Sequence, residues 1–408
     1  MTASAFDQGE RLHGLDGLRG AALLLGVVLH GTLSFFPSQI WIVGDDQTSV
    51  GASSLFFVIH LFRMASFFLI AGLFGHMMLK RRGTAGFIKN RLIRIAAPLA
   101  AFWGPVMAGI VAVLVWNASL HGLAAADAPP PPTYDWTNIP LTHLWFLWVL
   151  LWFYAALVIG QAVVARLDRA GRLGRGMDRL AGGLIGPWGP LVLGAPLALA
   201  LWLEPNWIAF FGIPTPDAGL VPETSALVGF GLAFGMGVLL DRRRDLLAKI
   251  AGWTPVYLGL ALGSGTTALM LSGGPTPVLT PMTDPAAKAL AAAAFGVATY
   301  ASMFAVVGLA LKFWSGHSAL RRYLADASYW IYIVHLPLVM AAQVVVQDWA
   351  LVWPIKLGVV VVGVMAVSLA TYELMVRHGM MGRWLNGRRV PWRRARPVVP
   401  VAHQAAAE

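Results

Sequence analysis

Hydrophobic residues along the chain come in long blocks, not in the alternation of a half-buried strand or the three-four spacing of a surface helix. A block needs about 20 apolar residues to cross the ~30 Å hydrocarbon of a bilayer. Ten runs meet or approach that length: 16–36, 52–79, 93–116, 144–165, 184–203, 225–240, 252–272, 288–311, 325–346 and 355–376. The run at 184–203 is weakened by Pro187, Pro190 and Pro196, and the run at 225–240 is short. The first run holds Arg19 and His30 and has no small-residue cleavage site after it, so it reads as a span and not as a signal peptide. The pattern predicts an all-α polytopic membrane helical bundle of about ten transmembrane helices.

Composition sharpens that reading. Hydrophobic residues make up 58% of the 408, charged residues only 12%, and the mean hydropathy is +0.68. A soluble domain carries about 25% charged residues, so this chain could not cover a water-facing surface. Soluble enzymes and disordered tails are excluded. The absence of cysteine removes disulfide scaffolds, thiolate metal sites and cysteine nucleophiles. No P-loop, GxGxxG, HExxH or GxSxG arrangement is present, so no nucleotide hydrolysis, metal or serine elbow is expected.

The net charge of +11 would ordinarily raise nucleic acid as a partner. Its distribution argues for membrane orientation instead. With a cytoplasmic N-terminus, every Lys and Arg except Arg63, Lys288 and Lys356 falls in an inside segment or the C-terminal tail. The opposite loops 117–142, 204–224 and 273–287 carry only acidic charge, including Asp135, Glu204, Asp217 and Glu223. Both termini are therefore expected inside. Residues 1–384 read as one transmembrane domain and 385–408 as a loose basic cytoplasmic tail that meets anionic lipid headgroups. Pro129–Pro132 read as an extended polyproline element in the longest outside loop.

Ionisable groups at membrane depth mark function by default. In the first run, Arg19 and His30 lie eleven residues apart, roughly 16 Å along a helix and about 20° apart around it. They share one stripe, with Asp16 at its inner end as a charge partner for Arg19. In the second run His60 and Arg63 fall at i and i+3, on one face. Arg63 has no headgroup within reach, so it needs a wet cavity, an anionic ligand, or structural pairing with Glu373 or Asp326. Tyr329, Tyr332 and His335 repeat at three-residue spacing in the ninth run. His143, Trp145 and Trp148 open the fourth at the outer interface, where tryptophans are expected in any membrane protein. Lys89, Arg91 and Arg94 gather at the inner mouth, where such residues cluster in any case, yet Arg91 and Arg94 share a face suited to phosphate.

The Arg19-to-His30 spacing, "FRMASFFLIAG", "RLIR", "HLWFLW" and "YWIYIVHLP", in that order, resemble the acyltransferase-3 family of integral membrane acyltransferases. The ten-span layout and the last motifs look like its group associated with succinylating osmoregulated periplasmic glucans. The resemblance implies His30 as the catalytic histidine, Arg19 as an essential arginine, and Arg91 and Arg94 as an element that engages acyl-CoA. It transfers no firm role to Tyr329, Tyr332 or His335. Family members often carry a C-terminal hydrolase-like domain, which is not seen in this sequence, so the bundle alone is expected to bind the acceptor.

The residues fit that inheritance. Cytosolic acyl-CoA, succinyl-CoA above all, would place its phosphates at Lys89, Arg91 and Arg94, and its pantetheine arm is of the order of the Arg19–His30 separation. A glucan hydroxyl arriving from the periplasm would give its proton to His30, or an acyl-histidine would form transiently; both routes stay open. His60, Arg63, His143, Tyr329, Tyr332 and His335 are candidates for the acyl and acceptor end. No cofactor is expected to stay bound. Membrane lipids, the glucan synthesis machinery and a second copy of the chain are the other expected partners, in a bacterial inner membrane. The alternatives are O-acetylation of another envelope glycan, a transporter of envelope glycans, and a non-catalytic scaffold. The transporter lacks its usual paired interrupted helices.

Overall fold

In hydrocarbon a backbone must satisfy its own polar groups, which leaves these apolar blocks only the helix. The computed structural model describes residues 13–38, 40–122, 133–314, 316, 318–387 and 390. The polyproline run 129–132 and the tail beyond 390 lie outside the described residues. The helices are α1 (His13–Thr32), α2 (Val50–Arg91), α3 (Ala97–Leu120), α4 (Trp145–Leu167), α5 (Arg172–Leu184), α6 (Gly189–Leu203), α7 (Thr224–Arg242), α8 (Asp245–Leu271), α9 (Pro285–Phe313), α10 (Ala319–Val346), α11 (Trp353–Thr371) and the short α12 (Met380–Leu385). Among the described residues no strand occurs beyond one bridge, between Pro140 and Ala218.

Eight helical stretches are long and apolar enough to cross a membrane, and a ninth is formed by α5 and α6 together, bent by 103°. One of the eight, Val50–Leu120, has 71 residues and would be roughly 105 Å long if straight. It is not straight. Gly83 leaves the helix at φ 66°, ψ 173°, a region open to glycine. Arg91 Nη2 then reaches Met78 Sδ at 2.8 Å, although thirteen residues of unbroken helix would part them by about 20 Å. The chain turns back on itself here and supplies two crossings. The ten expected runs are thereby all accounted for, with 225–240 a regular 19-residue helix and 184–203 reduced to the 15-residue α6. Arg172, Arg175 and Arg179, among the basic residues of the inside segments, ride on α5.

Close helix crossings are made where side chains vanish. A Cβ on Gly72 of α2 would collide with the Phe234 carbonyl, and one on Gly237 of α7 with the Leu69 carbonyl. The basic loops define an inner end. There Asp241 is buried and receives His76 at 2.9 Å, Lys80 at 3.1 Å and Arg244 at 2.5 Å. At the outer end Lys356 and Asp45, 1% and 2% exposed, pair at 2.8 Å, and Lys356 also donates to the Gln347 carbonyl.

The start of the expected tail is packed. Trp384 donates to the Ile93 carbonyl and Asn386 to the Tyr372 hydroxyl. Ile93 lies in a π-helical turn, Leu92–Ala96, between α2 and α3. Such a turn frees carbonyls from the helical ladder and often marks a functional position. Here Trp384 takes one of them and Tyr329 another, that of Arg94.

Candidate active site

Two cavities meet inside the bundle. The outer one, about 400 Å³, is lined by His30, His60 and Arg63 together with Trp41, Trp145 and the loop Asn206–Asp217. The inner one, about 310 Å³, is lined by Arg19, Arg91, Arg94, Asp326, Tyr329 and Tyr332 and by Asn386 from the packed end of the chain. A septum between them is built from α4, α2 and α1. Trp145 and Phe146 are consecutive on α4, yet the first faces outward and the second inward. Arg63 and Phe67, one turn apart on α2, divide the same way, as do His30 and Arg19 on α1.

Three helices bring imidazoles together at the outer side of the septum. The His30 and His335 rings are 5.2 Å apart, and His335 and His143 are 4.8 Å apart edge to face. His335 Nδ1 lies 2.6 Å from the Tyr332 carbonyl. A carbonyl only accepts, so Nδ1 carries the proton and Nε2 is a bare acceptor. That Nε2 is buried without a partner, and so is His30 Nδ1. His143 Nε2 donates to the Ile333 carbonyl at 3.1 Å. His30 is held by its backbone as well: Gln343 donates to the His30 carbonyl and accepts from Trp41 Nε1, whose ring stacks on His30 at 6.1 Å. Among the described residues no group of three or more His, Cys, Asp or Glu could hold a metal ion.

His143 is enclosed by protein rather than open to the surface, 7% exposed. A laced outer loop pulls it in. Leu141 and Thr142 both donate to the Asp217 carbonyl, Gly219 donates to Ile139, and the Tyr332 hydroxyl donates to the His143 carbonyl at 2.6 Å. Thr142, immediately before it, has φ 48°, a costly angle for a β-branched residue and one that persists only where surrounding bonds impose it.

Arg63 is the unusual cation. Its expected structural partners are elsewhere: Glu373 binds Arg377 at 2.5 Å and His378 at 3.1 Å, and Asp326 lines the inner cavity, across the septum. Its Nε and Nη1 are buried with no hydrogen-bond partner. Nη1 rests against α1 where Gly26 has no side chain, 3.3 Å from where a Cβ would stand. His60 stacks on Phe56 at 5.2 Å in the same cavity.

At the inner side Arg19 pairs with Asp16 at 3.5 Å, as the sequence suggested. Arg91 is more engaged than a free phosphate ligand would be. Its guanidinium lies 4.9 Å over the Tyr154 ring and contacts the Tyr154 hydroxyl, Met78 Sδ and Asn90 Oδ1. Lys89 is exposed and lies outside the cavity lining. The Tyr329 and Tyr332 hydroxyls line the cavity wall but spend their protons on backbone carbonyls of Arg94 and His143.

Sequence reasoning passed over the loop that caps the outer cavity. Trp207 and Phe211 enter it from "NWIAFFGIP", a stretch too apolar for an ordinary outside loop, and that was the available signal.

A polytopic bundle with a basic cavity towards one end and an aromatic, histidine-bearing cavity towards the other has the architecture of an integral membrane protein. Residues 12–373 match the acyltransferase-3 family, described as an acyltransferase domain, and the chain belongs to that family. It is 31% identical over 146 residues to the glucans biosynthesis protein C of Escherichia coli (strain K12) and to that of Shigella dysenteriae serotype 1 (strain Sd197). Each alignment covers 35% of this chain and 37% of the relative, well under two thirds of that protein's length. No solved structure matches.

Proposed function

We propose that the protein is an O-acyltransferase of the bacterial inner membrane that moves a succinyl group from cytosolic acyl-CoA to a hydroxyl of a periplasmic glucan. The observation that carries this reading is the pair of cavities lined from neighbouring residues of the same helices, one basic and one aromatic with His30 in its wall. Acyl-CoA would rest its phosphates on the inner arginines and present its thioester at the septum. The aromatic walls of the outer cavity, Trp41, Phe56, Trp145, Trp207 and Phe211, suit the apolar faces of sugar rings, with few polar groups to fix orientation.

In the proposed step, neutral His30 takes the proton of the attacking hydroxyl. The hydroxyl oxygen bonds to the thioester carbonyl carbon, the carbon–sulfur bond breaks, and the thiolate leaving into the inner cavity recovers the proton. His335 offers a second acceptor beside His30. The product is an ester and free CoA, with no oxidant or reductant consumed. A two-step route through acyl-His30 balances equally. Acetyl transfer to another envelope glycan is the second reading. The relatives' name speaks of glucan biosynthesis and of no acyl group.

The test is purified protein in liposomes with acyl-labelled succinyl-CoA and a neutral oligoglucan. Label should pass to the sugar as CoA is released. His30→Ala should lower that turnover by about a thousand-fold or more, within the ~10²–10⁴ that a general base contributes, while migrating as wild type in size-exclusion chromatography. Turnover within a few-fold of wild type would remove His30 from the reaction.

A further inference from the structure

Cations on the wrong side of the charge asymmetry should each have a reason. Lys356 is enclosed by Asp45 and the Gln347 carbonyl, and Lys288 donates to the Glu204 carbonyl. Arg63 alone of the three keeps two buried nitrogens without a partner. A guanidinium cannot shed its charge as an ammonium can, and leaving it desolvated and unpaired is expensive. Yet it borders an open cavity of about 400 Å³. The cavity is therefore chemically suited to an anion.

The geometry selects the kind. A planar fork of donors matches a carboxylate in two parallel hydrogen bonds. A phosphate would call for more positive charge than Arg63, the only Lys or Arg in the outer lining. Depth selects the source. The guanidinium lies against Gly26, and Gly26 is one helical turn, about 6 Å, below His30 on α1. A group whose reacting carbonyl stands at His30 would set a carboxylate two methylenes further on, roughly 4 Å from that carbonyl carbon, within reach of Arg63.

We propose that Arg63 is the carboxylate-binding residue of the outer cavity, holding the terminal carboxylate of the transferred acyl group and so selecting dicarboxylic monothioesters over acetyl. The inference rests on the acyl-transfer reading for its source of carboxylate. It deepens that reading by naming what distinguishes one donor from another. An acetyl donor would leave the guanidinium unpaired in the loaded site. A carboxylate on the acceptor sugar is the competing source.

Two measurements separate these. In the first, acetyl-, succinyl- and glutaryl-CoA are compared on a neutral oligoglucan with wild type, Arg63→Gln and Arg63→Lys. The ratio of succinyl to acetyl kcat/KM should fall at least about thirty-fold in Arg63→Gln, the scale of losing one partner of a buried charge pair. It should fall less in Arg63→Lys, which keeps charge without the fork. An unchanged ratio overturns the proposal, and so does a wild type that turns over only acceptors bearing a carboxylate. The second needs no turnover: free succinate should quench tryptophan fluorescence from the cavity lined by Trp41, Trp145 and Trp207, succinamide should not, and Arg63→Gln should weaken the response at least about ten-fold. Equal succinate binding in the two proteins sinks the carboxylate site whatever the enzyme assay shows. Absence of acyl transfer by wild type alongside Arg63-dependent succinate binding would instead break the functional reading and leave the carboxylate site standing.

Discussion

The inner and outer cavities are lined from neighbouring residues of the same helices, yet they handle charge in opposite ways. The inner cavity holds three arginines near the basic end of the bundle, where water and headgroups are close, and two of them are engaged: Arg19 with Asp16, Arg91 with Tyr154, Asn90 and Met78. The outer cavity holds one, Arg63, deep in the bundle and with buried nitrogens unpaired. A crowd of cations at a membrane's inner face says little about chemistry, because orientation alone puts them there. A solitary cation on the far side says a great deal, once the structure shows whether it is enclosed or waiting.

That contrast is most exposed to refutation at Lys356. If outer cations divide into those locked for stability and one kept for ligand, Lys356→Ala must leave Asp45 buried and uncompensated, at a cost of about 3–5 kcal/mol. Thermal unfolding in detergent should show a large fall in midpoint, and the Asp45→Leu/Lys356→Met pair should restore most of it. A negligible effect of Lys356→Ala would erase the distinction and weaken the case built on Arg63.

How far the sequence alone reached follows the same divide. The helices and their division into apolar runs were legible because block length is a local property of the chain. The Arg19–His30 stripe was legible because both residues ride one helix. His143 was not: it is drawn inward by hydrogen bonds to Asp217, more than seventy residues away, and by a hydroxyl on α10. The reversal between the runs 52–79 and 93–116 was legible, but the residue at which helix geometry breaks, Gly83, rests on one positive φ that no periodicity announces. Glu373 and Asp326 were reasonable guesses for Arg63 by charge alone, and only the packing shows both on the other side of the septum or bound elsewhere.

The inner arginines offer the next comparison. Arg94 lines the cavity from a π-helical turn, whereas Arg91 is bedded on Tyr154 and Phe87. Arg94→Ala should weaken acyl-CoA binding by about ten- to a hundred-fold, the loss of one charge-assisted contact of about 1.5–3 kcal/mol, with little change in unfolding midpoint. Arg91→Ala should lower both affinity and midpoint. Isothermal titration with CoA beside thermal unfolding separates the two. Matching behaviour of the two variants would mean that the seat of Arg91 does not matter to the fold.

The smallest effect lies at the outer rim, where the carboxylates of Glu223, Asp217 and Glu204 gather. Glu223 precedes α7, its Oε2 is buried without a partner, and burial, followed by the neighbouring carboxylates Asp217 and Glu204, raises its pKa above the usual glutamate value. A carboxyl raised in the folded state binds its proton more tightly there than in the unfolded chain. Its ionisation therefore costs stability as the pH rises through the raised folded value, and that cost is absent below about pH 4, near the ordinary glutamate value. Glu223→Gln removes the charge and keeps the shape. The variant should unfold about 1–2 °C higher than wild type near pH 7, and the two curves should converge near pH 4. The positive end of α7 favours the carboxylate and trims the gain, which is why the expected shift is small. A variant less stable than wild type near pH 7 would show that the helix terminus outweighs the rim's repulsion, and that the outer mouth tolerates its negative charge without strain.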